Sequence, residues 1–238
     1  EYLKSANITA VLSERNIGFG AAVNVGQEKA AGEFLFILNP DTVLPPGTLL
    51  TLRDFACHQD GLGLVSPLLA WPSGTTQISA RRLPNRADFL FGRGSPLFKL
   101  GLTGENRAGY LTSADDRPLI VPAVSATAGF IKTEIFRELG GFDTRFFMYL
   151  EDIDLCRRLG QAGLEIWLHP GIKVVHGWRK SSRTRPYFAL YHHHLSVLKY
   201  FAKYYPTQIM RNSLLAAILL IGFIFSSLLI PIGEKDPK

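Results

Sequence analysis

Cysteine is scarce in this sequence. Its two residues, Cys57 and Cys156, fall in helical patterns and show no metal-ligand spacing. That leaves no disulfide framework and no zinc-type site, and points to two buried free thiols in a reducing compartment. No block of Arg and Lys is interleaved with aromatics, which argues against nucleic-acid binding. No signal peptide opens the chain, and a short buried strand is expected at Ile8 to Leu12. The formal charge of +6 is modest and spread out, as suits a protein that rests on anionic lipid or handles phosphorylated substrates. With 238 residues and 47% apolar content, the chain can build one domain with an appendage.

The elements follow in order. Asn16 to Gly20 is a turn, and a helix is expected from about Ala21 to Ala31, with Gly32 as its stop. Phe34 to Leu38 is an unbroken apolar run, as for a strand covered on both faces in a parallel sheet. Asn39-Pro40-Asp41-Thr42 closes that strand at its carboxyl end, where open α/β sheets place ligands. Thr48 to His58 reads as an amphipathic helix. Leu62 to Ala70 and Thr76 to Arg81 read as strands around Pro72-Ser73-Gly74. Residues 84 to 118 lack periodicity and read as a surface excursion. Val121 to Lys132 returns to the sheet, and a short helix over Glu134 to Leu139 stops at Gly140-Gly141. Leu164 to Leu168 and Lys173 to His176 look like strands, and Tyr187 to Tyr205 like a helix with His192 to His194 on its surface. Leu214 to Ile232 carries no charge. At 19 residues with no polar face it reads as a membrane attachment, at the lower edge of spanning length; a core helix, or an interfacial hairpin broken near Ser226-Ser227, is the alternative. Lys199, Lys203 and Arg211 before it would hold the main domain on the cytoplasmic side.

The rest is organised around Phe146 to Arg158. An aromatic run meets Glu151, Asp152 and Asp154, and a helix follows at once, with Leu155, Cys156, Leu159 and Ala162 as its buried stripe. Asp152 points inward above that stripe, at the lip of a cavity. A carboxylate against Phe and Tyr should bind its proton more tightly, as a general base near neutral pH requires. The competing reading is electrostatic: acids in a first turn complement the helix dipole. Asp154 reads as such an acid, or as the i,i+4 partner of Arg158.

Three blocks together resemble the family 2 glycosyltransferases of the GT-A fold, especially their bacterial rhamnosyltransferase-like branch. They are Asn16-Ile17-Gly18-Phe19-Gly20 with Asn24 and Gly26; Asn39-Pro40-Asp41-Thr42; and Gly140-Gly141-Phe142-Asp143 running into Glu151-Asp152-Ile153-Asp154-Leu155, with His176 beyond. The match covers roughly residues 7 to 205. It implies an α/β, Rossmann-like mixed sheet flanked by helices, with a membrane-associated apolar helix after it. Residues 1–205 would be the catalytic domain and 206–238 the tail.

By this resemblance Asp152 is the general base of an inverting sugar transfer, and Glu151 holds the acceptor or orients Asp152. Asp41 and His176 would ligate a divalent metal, Mn²⁺ or Mg²⁺, at the donor diphosphate. With Asn39 at the first position of the DxD-like motif, one carboxylate does more of that work; the other reading of His176 is an ordinary strand-end histidine. Asn16, Gly18, Asn24 and Asn39 would line the donor. Small residues needed for helix packing are the alternative for the first three. Arg179, with Lys180 and Arg183, would meet the donor or an acceptor diphosphate, or form a solvated basic loop. In relatives a strand and a base-gripping segment come before the point that matches Glu1, so about 40 to 50 residues of the nucleotide half would precede it. The partners implied are a nucleotide sugar, a saccharide or polyprenyl-linked acceptor and a membrane, with no nucleic acid. The donor expected first is dTDP-rhamnose, with a UDP-hexose or UDP-N-acetylhexosamine as the alternative. The product would belong to a cell-envelope polysaccharide, made at the cytoplasmic face of the cell membrane. A non-catalytic membrane-bound relic is the reading from another class.

Overall fold

The computed structural model describes residues 8–91, 95, 101, 110–111, 116–177 and 185–228. The main sheet is mixed. Its central strand β3 (Leu62–Ala70) is buried along its whole length. β3 runs parallel to β9 (Glu165–His176) and pairs antiparallel with β8 (Ala128–Lys132). β1 (Phe34–Leu38) pairs antiparallel with β8 at one edge, and the short β2 (Thr42–Val43) pairs with the end of β9 at the other. β6 (Leu119–Ile120) also joins β9. A second, three-stranded sheet has the order β5 (Tyr110–Leu111), β4 (Ala80–Arg81), β7 (Ala123–Val124).

Helices cover the sheet. α1 (Phe19–Glu28) precedes β1, and α2 (Thr48–His58) buries Leu52 and Ala56 against β3. α3 (Arg86–Phe91) lies in the excursion, and α4 (Thr133–Glu138) follows β8. α5 (Glu151–Gln161) buries Ile153, Leu155, Cys156 and Leu159 in the larger core. α6 (Pro186–Tyr204) and α7 (Ile209–Leu228) form a helical hairpin. Tyr187 at the start of α6 bonds the Ser227 carbonyl near the end of α7, so the two run antiparallel.

Several expectations need correction. Of Thr76 to Arg81 only Ala80–Arg81 is a strand. Ile8 to Leu12 forms no strand and is exposed, with Leu12 at 94%. An apolar run becomes a strand only where a neighbour completes its ladder. Among the described residues β1 pairs on one side only, antiparallel with β8, and it is largely half-buried, not covered on both faces. In α5 the buried stripe omits Ala162, which is exposed, and includes the fully buried Asp154. Cys57 is exposed on α2, whereas Cys156 is buried and its thiol is pushed up to about 12 by burial.

A candidate glycosyl-transfer site

The aromatic run ends in two left-handed residues, Tyr149 (φ 69°) and Leu150 (φ 63°). Neither is glycine, so this conformation is strained and is held by its surroundings. α6 supplies much of the hold. Ser196 donates to the Met148 carbonyl at 2.8 Å and Lys199 to the Arg145 carbonyl at 2.6 Å. His192 stacks on Phe147 at 4.4 Å, and His193 meets Tyr149 edge-on at 5.5 Å. The histidine run, expected on the helix surface, is therefore packed against the aromatic loop.

The left-handed pair starts α5 abruptly, so both acids stand at its amino end. Asp152 is 14% exposed. One carboxylate oxygen accepts from the Ile153 N–H at 2.8 Å, and the other faces Arg81 at 3.5 Å. Glu151 is buried, and its Oε2 meets no hydrogen-bond partner among the described residues. Burial first, and the Asp152 charge second, raise the Glu151 carboxyl from 4.5 to about 8. At neutral pH Glu151 carries a proton it can donate. Asp154 has a different part. Fully buried, it accepts from Arg158 at 2.8 Å, from Tyr204 at 2.7 Å and from Lys203. It ties α5 to α6, and the i,i+4 partner expected from the sequence is the one it has.

Asp41 and His176 are brought together. Thr42 stands opposite His176 in the ladder, which sets Asp41 Oδ1 3.3 Å from His176 Nε2. Gln77 donates through Nε2 to the carbonyls of His176 and Ala70, so its Oε1 is left to accept from His176 Nδ1 at 3.1 Å. That assigns the ring proton to Nδ1 and turns the Nε2 lone pair toward a carboxylate oxygen. Two acceptors facing each other at this distance suit a shared cation. Neighbouring ligands on an octahedral cation with bonds of about 2.1 Å stand about 3 Å apart. These two residues therefore fit a divalent metal. No group of three His, Cys, Asp or Glu converges anywhere among the described residues, so water and substrate oxygens would complete the shell.

Gly18 and Asn24 meet the third block, and Asn16 holds Gly18. Asn16 accepts from the Gly18 N–H at 3.0 Å. Asn24 clasps the Phe142 backbone twice, donating to its carbonyl and accepting from its N–H, both at 2.8 Å. Gly18 has φ 88°, and a Cβ there would strike the Phe147 carbonyl oxygen. Asn39 donates its backbone N–H to Thr127 at 2.9 Å and accepts from Thr42 at its carbonyl. Arg179, Lys180 and Arg183 lie outside the described residues. Two surface hollows, of ≈ 590 and ≈ 320 Å³, lie elsewhere, around Lys132 and around Pro45. Arg81 is the functional candidate that sequence reading passed over. It stands 71 residues before Asp152, and only the pairing of β4 with β7 brings it there.

The chain is 31% identical to the N-acetylglucosaminyl-diphospho-decaprenol L-rhamnosyltransferase of Mycobacterium tuberculosis, covering 82% of this chain and 67% of that one. The chain belongs to the family 2 glycosyltransferases, in their rhamnosyltransferase-like branch. This transferase is also 26% identical to the rhamnosyltransferase WbbL of Escherichia coli K12, over 78% of its own length and 70% of WbbL. No protein-family model matches it. Among solved structures it resembles GalNAc-T7, crystallised with UDP, GalNAc and Mn²⁺, with a TM-score of 0.50 and 18% identity. That likeness covers 78% of this chain but 35% of GalNAc-T7, and it shows the fold, GT-A.

Proposed function

We propose that this glycosyltransferase moves a sugar, rhamnose from dTDP-rhamnose in the first instance, onto a lipid-linked saccharide of the cell envelope, with inversion. The observation that carries this reading is the acid pair at the start of α5: Asp152 bonded by the Ile153 N–H and facing Arg81, beside a Glu151 that keeps its proton. Asp152 takes the proton from an acceptor hydroxyl. The freed oxygen attacks the anomeric carbon of the donor, the bond to the diphosphate breaks, and the nucleoside diphosphate leaves from the opposite face. Glu151 donates its proton as a hydrogen bond to the acceptor and positions it. Asn16, Gly18, Asn24 and Asn39 border the donor side, and Arg179 is assigned to the acceptor.

Asp41 and His176 would hold a divalent cation, Mn²⁺ being favoured by the imidazole. When bound, it neutralises charge on the departing diphosphate. The names of the rhamnosyltransferase relatives support the donor sugar, and a decaprenyl diphosphate in one of them supports the acceptor class. Residues 1–205 are assigned to catalysis. The segment 206–238 is assigned to attachment at the cytoplasmic face of the membrane, supported by the 20-residue apolar α7.

The test is Asp152→Asn. It should keep nucleotide-sugar binding and lose about 10²- to 10⁴-fold in transfer. Unchanged turnover would remove Asp152 from the mechanism. A panel of dTDP- and UDP-sugars, with and without Mn²⁺, decides the donor; metal-dependent binding with no transfer to any acceptor would favour a relic.

A further inference from the structure

We propose that Arg81 binds the diphosphate of a lipid-linked acceptor, holding that substrate between Asp152 and the α6–α7 hairpin. The inference rests on the transferase reading above. Arg81 stands on β4 opposite Ala123 of β7, and β7 packs on α5, where Cys156 donates to the Val124 carbonyl. Its guanidinium therefore faces the amino end of α5.

The contact with Asp152 is not that of a settled pair. It spans 3.5 Å, with the Arg81 side chain 40% exposed. Committed pairs in the same molecule are closer, Arg145 to Asp143 at 2.6 Å and Arg158 to Asp154 at 2.8 Å. Charge-assisted pairs of full strength fall at about 2.7–2.9 Å. Arg81 has donors to spare, and its planar fork matches phosphate oxygens.

Its position also orders the site. Just after Arg81 the chain reaches the hairpin: Arg86 donates to Gln208 and Asn212, and Phe89 meets His193 at 6.0 Å. His193 belongs to α6, and the adjacent His194 meets Phe223 of α7 at 5.9 Å. From the base outward the order is carboxylate, cation, apolar hairpin. A sugar bearing a prenyl diphosphate has the matching order: reacting hydroxyl, diphosphate one ring away, hydrocarbon chain. The donor diphosphate has its own candidate site at Asp41 and His176.

The experiment is calorimetric titration of the full chain with farnesyl diphosphate, without divalent metal so that the donor site is not engaged. Arg81→Gln should weaken binding by about tenfold or more, and Arg81→Lys should recover part of the loss. Farnesol, which lacks the anion, should bind the three proteins alike. Nucleoside diphosphate with Mn²⁺ should bind Arg81→Gln as it binds the wild type. Equal farnesyl diphosphate affinity in wild type and Arg81→Gln would overturn the proposal, as would no binding to the wild type. A selective loss of nucleoside diphosphate binding would also overturn it, by moving Arg81 to the donor. No transfer is read here. A chain that binds the probe through Arg81 but transfers no sugar would therefore defeat the transferase reading and not this one.

Discussion

Glu151 is the residue whose chemistry is most altered by the fold. Its buried carboxyl is raised to about 8, by desolvation and then by Asp152. Between its ordinary 4.5 and about 8 the folded chain holds a proton that the unfolded chain has released. The folded state binds more protons there, so stability falls as pH rises through that window and levels off above it. Glu151→Gln keeps the shape of the neutral acid and cannot ionise. Its melting temperature should gain on that of the wild type as pH goes from 5 to 8, and parallel curves would mean that Glu151 is not buried as an acid. At Asp41 and His176, proposed above as metal ligands, Gln77 fixes the ring that presents Nε2. Gln77→Leu keeps both ligands but frees the imidazole, and should weaken Mn²⁺ binding about 10- to 100-fold in a titration with nucleoside diphosphate. His176→Ala should weaken it further. The sequence showed both acids and the Asp41–His176 pair. It could not show which of Glu151 and Asp152 would be the more buried, because two consecutive left-handed residues set the helix start and neither is a glycine.

Among elements, those whose own residues decide them were legible. Thr48–His58 and Leu62–Ala70 have the expected bounds, one from its amphipathic periodicity and the other from a largely apolar run that ends before the turn Pro72-Ser73-Gly74. The strand expected over Thr76 to Arg81 shrinks to Ala80–Arg81, because the pairing with Val124 and Ala123 defines it and the run does not. Arg81 was missed because the run does not tell that this pairing carries it to Asp152. Gly18 was expected at the donor, with helix packing as the alternative, and the structure shows a packing demand. It lies at φ 88°, where the start of α1 crosses the Phe147 carbonyl, and Phe19 donates to that same oxygen at 3.3 Å. Gly18→Ala must open that crossing. It should cost about 1–3 kcal/mol in a denaturant titration. It should also lower turnover, because the displaced Phe147 belongs to the loop that starts α5. A variant as stable and as active as the wild type would show that the crossing can relax without consequence.

At the scale of the whole molecule, α7 bears on how the transferase meets a membrane. One stripe of the helix, Leu215, Leu219, Gly222 and Ser226, is buried, with α6 packed alongside. Opposite it, Met210, Leu214, Ile221, Ile224 and Leu228 form an exposed apolar stripe at helical spacing. Twenty residues at 1.5 Å each make about 30 Å, enough to cross a bilayer. Crossing would carry α6 in as well, since Tyr187 and Tyr191 accompany α7 up to Ser227 and Phe223. α6 also carries Lys199 and Lys203, whose bonds to Arg145 and to Asp143 and Asp154 anchor it to the catalytic domain. Pulling α6 into hydrocarbon would break those bonds and bury both charges, at a cost of several kcal/mol each. If α7 attaches the protein to a bilayer, the hairpin is therefore expected to lie in the plane of the interface, with the outer stripe of α7 in the acyl boundary. The protein should float with vesicles containing anionic lipid and be released by alkaline carbonate. Ile221→Glu with Ile224→Glu should abolish flotation without moving the melting temperature, because both side chains are already exposed. Retention after carbonate would mean that α7 crosses the bilayer, and that α6 and α7 part company when it does.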